Sequence, residues 1–226
     1  MEGMRRSKTA WGMVLIGGLV ALLLPATGLA KGGHDSCVGG SACDGNTGDV
    51  GNGSCNGFEA CVSNSGDMGN TSCVGDSACR RNTGALGNSS CVKEFACDGN
   101  TGAVSNSSCG GFRACQENKG PVGNSSCVGL AACPDNTGPV GNNSCVGVTA
   151  CQDNHGAKIG DGSCHGDVAC DTNAGTIGSN SCNAEGACDN NSGTIGNNSC
   201  NAEEACRNNT GAIGNDECNT PHECAQ

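Results

Sequence analysis

The apolar and polar positions of the chain divide it into two unlike parts. From Trp11 to Pro25 almost every residue is apolar, whereas after residue 30 single apolar positions recur every 18 residues in a background of Gly, Asn and Ser. Each interval contains a Cys-x5-Cys pair, an Ala before the second Cys and an aliphatic residue seven positions after it. Recurrence at a fixed period is typical of repeat architectures. The pattern therefore predicts a stack of eleven units.

The unit reads S-C-x-G-x-x-A-C-x-x-N-x-G-x-[VIL]-G-N-x. Several Gly per unit disfavour helix, because each costs up to about 1 kcal/mol in a helix interior, and short extended segments joined by Gly and Asn fit better. The Cys, Ala and aliphatic columns are predicted to face inward. The Asn column from Asn46 to Asn209, and the Gly two residues later, are predicted to be corners with positive φ, where stacked amides bond along the ladder.

We therefore expect an all-β fold, a disulfide-stapled β-solenoid (β-helix) of about eleven 18-residue coils. At about 4.8 Å per coil it would form a rod about 50 Å long. Only Cys164 follows its predecessor by 19 residues, so Lys158 or a neighbour is an extra residue. The hand of the solenoid stays open, because Val50–Ser54 and Ile195–Ser199 also resemble one hexad of the left-handed hexapeptide solenoids.

Residues 1–30 are predicted to be a cleaved helical signal peptide. Arg5, Arg6 and Lys8 form a basic region before the apolar stretch, and Gly28 and Ala30 form a small-residue cleavage site. A membrane anchor is the alternative, but the apolar stretch is shorter than the roughly 20 residues that a spanning helix needs. We expect no membrane span in the mature chain.

The mature chain is predicted to begin with a short segment, 31–35, followed by the repeat domain, 36–226. Its last unit, 217–226, is predicted to be a polar cap. Glu217 and Glu223 replace the usual Ser and Ala there, and Pro221 removes a backbone donor. Charge and Pro at a terminal edge both discourage end-to-end pairing.

Composition restricts the partners and the type of core. After residue 30 the chain keeps eight Lys and Arg against 21 Asp and Glu, a net charge of −13, which disfavours nucleic acid and anionic membranes. The only aromatic residues left are Phe58, Phe95 and Phe112. The mature chain must therefore be either disordered or held together by cross-links. All 22 Cys lie in this part, and an exported chain meets an oxidising environment, so disulfides are expected.

Each Cys is within bonding range of two kinds of partner, the Cys six residues away or its equivalent in the next coil. Parity favours the first, because pairing along an eleven-member column leaves one thiol over. The expected pairs are Cys37 with Cys43, Cys55 with Cys61, Cys73 with Cys79, Cys91 with Cys97, Cys109 with Cys115, Cys127 with Cys133, Cys145 with Cys151, Cys164 with Cys170, Cys182 with Cys188, Cys200 with Cys206 and Cys218 with Cys224.

Units such as Cys73-Val74-Gly75-Asp76-Ser77-Ala78-Cys79 resemble those of the hyperactive beetle antifreeze proteins. The resemblance implies a β-solenoid with a disulfide inside each coil and an ice-binding face. That family repeats every twelve residues and presents Thr-x-Thr, whereas the period here is longer and one column carries a single hydroxyl residue per coil. This possible surface-binding column consists of Thr47, Ser65, Thr83, Thr101, Thr137, Ser192 and Thr210, and is interrupted by Lys119, His155 and Ala174.

Catalytic and metal-binding patterns are weak. The four His residues, His34, His155, His165 and His222, occupy different repeat positions, and no acidic column runs the length of the array. The Cys-x2-4-Cys spacing of structural zinc sites is absent, as is the calcium-binding nonapeptide. We expect no enzyme and no cofactor or metal.

The sequence therefore predicts a secreted or cell-surface, non-enzymatic protein, a rigid scaffold that presents a regular face to an extracellular surface, polymer or matrix. An ice-binding protein is the alternative. A calcium-dependent adhesive solenoid is a lesser one.

Overall fold

The structure, a computed structural model, describes residues 32–225. The predicted signal peptide and Lys31 lie outside the described residues. Within the described part there is no α-helix, and regular strands are limited to β1 (Thr194–Ile195) and β2 (Ala212–Ile213). They pair in parallel, with Thr194 opposite Ala212 and Ile195 opposite Ile213.

Single parallel bridges continue this pairing along the aliphatic column. They join each aliphatic residue to its equivalent in the next unit, from Val50 with Met68 through to Ile177 with Ile195. We number the positions of a unit from 1 at its first Cys, so that the aliphatic residue is position 14. Asn56 with Val74 and Val128 with Val146 form the same kind of bridge at position 2. The units are therefore stacked in register.

Backbone hydrogen bonds hold each unit to both of its neighbours. The amide of Met68 donates to the carbonyl of Asp49 in the preceding unit at 2.8 Å, and the amide of Gly69 donates to the carbonyl of Leu86 in the next unit at 2.8 Å. At the second Cys, Cys61 donates to Ala42 at 2.7 Å. Short extended segments are thus paired on both sides even though formal strands are rare.

The core is one continuous cluster inside the stack. The predicted inward positions are confirmed, because the Cys, Ala and aliphatic columns are buried along almost the whole array. Its largest fully buried apolar side chains are Ile159, Ile177 and Ile195. Cys and Ala fill most of the rest of this core.

The predicted corners are wrong. No residue of the Asn column has a positive φ, and from Asn64 to Asn209 these side chains are buried. The left-handed conformation recurs at positions 1, 5, 9 and 17, as in Cys55 (57°), Glu59 (53°), Ser63 (56°) and Thr71 (55°). The predicted bonding of Asn amides along the ladder is confirmed, but it takes place inside the stack, and the chain turns elsewhere.

The extra residue of the seventh unit is absorbed between His155 and Ala157. Gly156 adopts a φ of 82° there. The Asn154 amide donates to the carbonyl of Ala157, three residues on, instead of the usual two. The register is restored by Ile159, which bridges both Val140 and Ile177.

The carboxyl-terminal unit satisfies backbone groups that have no next unit. In earlier units the Gly after the aliphatic residue donates to the next aliphatic carbonyl, as Gly196 does to Ile213 at 2.9 Å. Gly214 instead donates to the Glu217 carboxylate at 2.8 Å. Glu223 likewise accepts from the Thr220 amide at 3.0 Å. These bonds are compatible with the predicted cap, which stays a prediction.

Candidate interaction faces

Disulfides inside the units fix the shape of the loop between positions 1 and 7. Each of the eleven bonds joins the two Cys of one unit, with Cα–Cα distances of 5.5 to 5.8 Å. No Cys among residues 32–225 is free. So many disulfides are typical of extracellular proteins. Sulfurs of adjacent units also approach one another, as Cys91, Cys97 and Cys109 do within 4.8 Å. Disulfide sulfurs are not the thiolates that a metal site requires.

A buried ladder of Asn side chains runs inside the stack at position 10. The amide of Asn118 donates to the side-chain carbonyl of Asn100 at 2.8 Å and to the carbonyl of Gly120 at 2.8 Å. Its own side-chain carbonyl accepts from Asn136 at 2.7 Å. Among the described residues every buried side-chain nitrogen and oxygen has a partner. The ladder is thus a polar core with no unsatisfied group.

A second buried ladder consists of Ser hydroxyls at position 18, and it was not predicted from the sequence. Ser54 is fully buried, and its hydroxyl donates to Gly69 at 2.8 Å while accepting from the amide of Ser72 at 3.0 Å. The available signal was the recurrence of Ser at this position from Ser36 to Ser199. A small polar residue that never varies along a stack indicates an internal hydrogen bond.

The seven residues of the predicted surface column all lie exposed in one column at position 11. Position 12 is almost always a buried Gly, position 13 is mostly exposed and position 14 is buried, as expected for an extended segment with one face outward. The Thr137 hydroxyl donates to the carbonyl of Asn154 at 3.1 Å, which links it to the next unit. We call positions 11 to 13 of the first ten units the Thr/Gly face.

Close approach of neighbouring units leaves no room for a side chain at position 12 of this face. A Cβ on Gly84 would lie 2.0 Å from the carbonyl oxygen of Gly102 and 2.8 Å from the amide nitrogen of Asn100. Only a residue without a side chain fits there. The face therefore has a floor of backbone between two exposed columns.

The chemistry of the Thr/Gly face changes along the stack. Position 13 carries Asp49 and Asp67 at the amino-terminal end and Pro121 and Pro139 in the middle. Hydroxyl and methyl groups dominate two stretches, whose residues at positions 11 and 13 are Thr83, Ala85, Thr101 and Ala103 in one and Ala174, Thr176, Ser192, Thr194, Thr210 and Ala212 in the other.

One buried carboxylate joins two units. Only 1% of the Asp98 side chain is exposed, and its oxygens accept from Arg80 at 2.9 Å and from Arg81 at 3.1 Å. The hydrogen bond to Asp98 is the main reason that the pKa of Arg80 is raised. This cluster ties the third unit to the fourth.

A run of carboxylates occupies five consecutive units, although no acidic column runs the length of the array. Glu117, Asp135 and Asp153 lie at position 9, and Asp171 and Asp189 follow at position 8. Asp135 is exposed at the surface, and partial desolvation raises its pKa, with further contributions from Glu117 and Asp153. Burial and then Asp189 raise the pKa of Asp171. Within the described part of the chain, only cysteine sulfurs converge closely enough to suggest a metal cluster.

The His residues do not converge. His34 precedes the first unit, and His155, His165 and His222 lie in the seventh, eighth and eleventh units. The Nε2 atom of His165 contacts the carbonyl of Asn143. His222 approaches the Glu204 carboxylate at 3.3 Å in an exposed pair. Within residues 32–225 no helix has the length and apolarity needed to cross a bilayer.

Comparison with known proteins assigns no activity. The model of a family described as a domain of unknown function, DUF7640, matches residues 26–110, 101–201 and 170–226. No curated protein and no solved structure matches the chain. The three overlapping matches cover the whole repeat array.

Proposed function

We propose, from the geometry of this chain, which belongs to a family defined as a domain of unknown function, DUF7640, that the protein is a secreted, non-enzymatic scaffold. In this proposal the stack is a disulfide-stapled β-solenoid, and its Thr/Gly face binds an extracellular surface, polymer or matrix. The parallel bridges along the aliphatic column support the solenoid class. The eleven disulfides and the basic, then apolar, amino-terminal residues support export.

The observation that carries this function is the floor of the Thr/Gly face, which has no side chains and lies between two exposed columns. A Cβ at position 12 would clash with the backbone of the next unit along most of the stack, so neighbouring units pack there with no side chain between them. Internal Asn and Ser ladders and one disulfide per unit hold each segment in place. A rigid repetitive face loses little conformational entropy on binding a repetitive target.

Binding to insoluble targets tests this proposal. The oxidised protein would be sedimented with chitin, cellulose, peptidoglycan and hydroxyapatite, and the bound fraction measured. For a target that is bound, the double substitution Thr101→Tyr with Thr137→Tyr should reduce binding about ten-fold, because two bulky side chains then stand above the floor. Gln116→Tyr with Gln152→Tyr, in neighbouring units but outside this face, is the matched control.

Equal loss of binding in both double variants would contradict a role for the Thr/Gly face. If the protein bound none of the four materials, these classes of target would be excluded. Both variants replace outward-facing side chains, so a thermal unfolding curve would confirm that the stack is intact.

Ice is a second candidate target, favoured by the two hydroxyl- and methyl-rich stretches of the Thr/Gly face. In these stretches the exposed groups repeat about 4.8 Å apart along the stack and about 7 Å apart across the Gly floor. The face resembles that of the beetle antifreeze proteins in being flat and Thr-bearing, though it has fewer Thr.

Thermal hysteresis and ice recrystallisation assays test this candidate. Activity that is lost in Thr83→Lys with Thr101→Lys would support it, because charged ammonium groups hold their own hydration water. Absence of hysteresis, crystal shaping and recrystallisation inhibition at high micromolar concentration would exclude ice.

A further inference from the structure

Position 4 of the repeat carries a symmetric pattern of charge and apolar residues. Three apolar residues occupy the middle units, and acidic residues follow on both sides. From the third unit to the tenth the column reads Asp76, Glu94, Phe112, Leu130, Val148, Asp167, Glu185 and Glu203. This column lies outside the Thr/Gly face and has no part in the function proposed above.

The three apolar side chains are accessible to a partner. Phe112 is 37% exposed, Leu130 50% and Val148 39%, which is unusual in a chain with so few large apolar residues. Phe95 adjoins them, with its ring 6.1 Å from that of Phe112 in an edge-to-face arrangement. We call Phe95, Phe112, Leu130 and Val148 the apolar patch. Contiguous exposed apolar groups with a polar rim are typical of protein interaction sites.

The aromatic end of the patch is fixed before any partner binds. The Arg113 guanidinium lies over both rings, 5.1 Å from the centroid of Phe112 and 5.7 Å from that of Phe95. Such contacts restrict the rotamers of all three side chains. The patch therefore loses little side-chain entropy on binding.

Unused backbone donors lie at the same place. The position-4 amide of Phe58 donates to the Asp76 carboxylate at 2.9 Å, and that of Val148 donates to Asp167 at 2.8 Å. At Phe112 and Leu130, position 4 of the next unit is an apolar residue and cannot accept a hydrogen bond. Within residues 32–225 the backbone amides of Phe112 and Leu130 therefore have no protein acceptor. Carbonyl groups of an extended peptide would supply those acceptors.

Charge and length define the partner further. The column positions of Glu94 and Asp167, four units apart, lie about 19 Å from each other, which six residues of extended chain span at about 3.3 Å each. The rim is acidic at both ends, so cationic residues of the partner would be attracted at both ends. Two cationic residues, Lys93 and Arg113, lie close to patch residues in the sequence. The Arg113 guanidinium lies over the rings of Phe95 and Phe112.

We propose that the apolar patch and its acidic rim bind an extended peptide segment of another protein, in which alternating apolar residues are flanked on both sides by Lys or Arg. Apolar side chains would pack on Phe112, Leu130 and Val148. Cations at both ends would pair with the carboxylates of the rim, and carbonyls would accept from the free amides.

Fluorescence anisotropy with a labelled peptide, Lys-Lys-Val-Thr-Val-Thr-Val-Lys-Lys, tests the proposal on the full mature, oxidised chain. We expect saturable binding that weakens with added salt. Phe112→Ser with Leu130→Ser should weaken it about ten-fold. The matched control is Phe58→Ser, because Phe58 is an exposed position-4 aromatic, 56% exposed, outside the patch. It should change the affinity less than about two-fold.

Two altered peptides separate the contributions. Replacing the four Lys by Glu should abolish binding, and replacing the three Val by Ser should weaken it about ten-fold. Glu94→Gln with Asp167→Asn should flatten the salt dependence. Equal binding of the Glu peptide, or equal loss in Phe58→Ser, would overturn the proposal.

Two other occupants would also overturn it. Dimerisation lost in the Phe112→Ser, Leu130→Ser variant would show that the patch pairs two copies of this chain. Binding to phosphatidylcholine vesicles with no binding to the peptide would assign it to lipid. Neither result bears on the Thr/Gly face, whose test uses other residues and other targets.

Discussion

At the scale of single residues, this fold uses small polar side chains where most proteins use large apolar ones. Asn at position 10 and Ser at position 18 are fully buried in nearly every unit, and each bonds to its equivalent in the next unit. Burial of a polar group is tolerated because every donor and acceptor is matched. The same matching makes each member costly to remove.

We predict that Asn118→Ala lowers the free energy of unfolding by about 2 to 4 kcal/mol, because it leaves groups of Asn100, Gly120 and Asn136 without their partner. Urea unfolding with the disulfides intact would measure it. The neighbouring Lys119→Ala, on an exposed side chain, should change stability by less than about 0.5 kcal/mol. Equal values for the two variants would show that the ladder contributes nothing specific.

The two raised carboxylate pKa values predict a pH effect. The folded state binds the protons of Asp135 and Asp171 more tightly than the unfolded state does. Ionisation therefore destabilises the fold, with no penalty below the unfolded pKa of about 3.9 and the full penalty above the folded pKa. Asp135→Asn with Asp171→Asn should raise the melting temperature at pH 7 and leave it unchanged at pH 3.5. An equal difference in melting temperature between the double variant and the unsubstituted protein at both pH values would contradict this prediction.

At the scale of the repeated element, Gly at position 12 lets units approach one another. Its φ is not positive except at the irregular Gly156, so conformational freedom is not the general reason for Gly. The reason is the carbonyl of the next unit, which occupies the space that a Cβ would need. A unit thus requires Gly at position 12 only where the equivalent segment of the next unit packs against it.

Gly84→Ala and Gly211→Ala provide a matched comparison of this requirement. The Cβ on Gly84 meets the backbone of the next unit at 2.0 Å, whereas at Gly211, in the tenth unit, the nearest atom is Asn209 Oδ1 at 3.8 Å. We expect Gly84→Ala to cost about 1 to 3 kcal/mol and Gly211→Ala to be nearly neutral. Thermal or urea unfolding would measure both. Similar costs would show that backbone entropy, and not packing, selects Gly.

At the scale of the whole molecule, stability is distributed along the stack. Units pair with the units before and after them, and the core is one continuous cluster that runs along the stack. Stability in such arrays is close to a sum of unit and interface contributions. Cross-links within units therefore act locally and add up along the chain.

Disulfide mapping tests this view directly. We expect no free thiol under denaturing conditions, and every bridge inside one Cys-x5-Cys unit. Removing one bridge by Cys127→Ala with Cys133→Ala should cost about 2 kcal/mol from loop closure alone. Removing the terminal bridge by Cys218→Ala with Cys224→Ala should have a smaller effect on global unfolding, because only one unit adjoins it. Bridges between successive units would contradict the pairing, and they are the alternative to test because sulfurs such as those of Cys97 and Cys109 lie within 4.8 Å of each other.

The sequence by itself was sufficient for the period, the disulfide-rich units and the inward columns of Cys, Ala and aliphatic residues. These follow from strict recurrence, because identical positions in a stack share one environment. The exposed Thr column was also found in this way, and its binding role stays a prediction.

Only the tertiary structure decided which polar positions are inside and where the chain turns. Asn, Ser and Gly suit corners, solvent and tight packing equally well by propensity, so Asn64 and Ser54 could not be placed without their neighbours 18 residues away. The apolar patch also could not be predicted from the sequence alone. Its residues are spaced along the sequence by a full unit or nearly so, and become a surface only when the units are stacked.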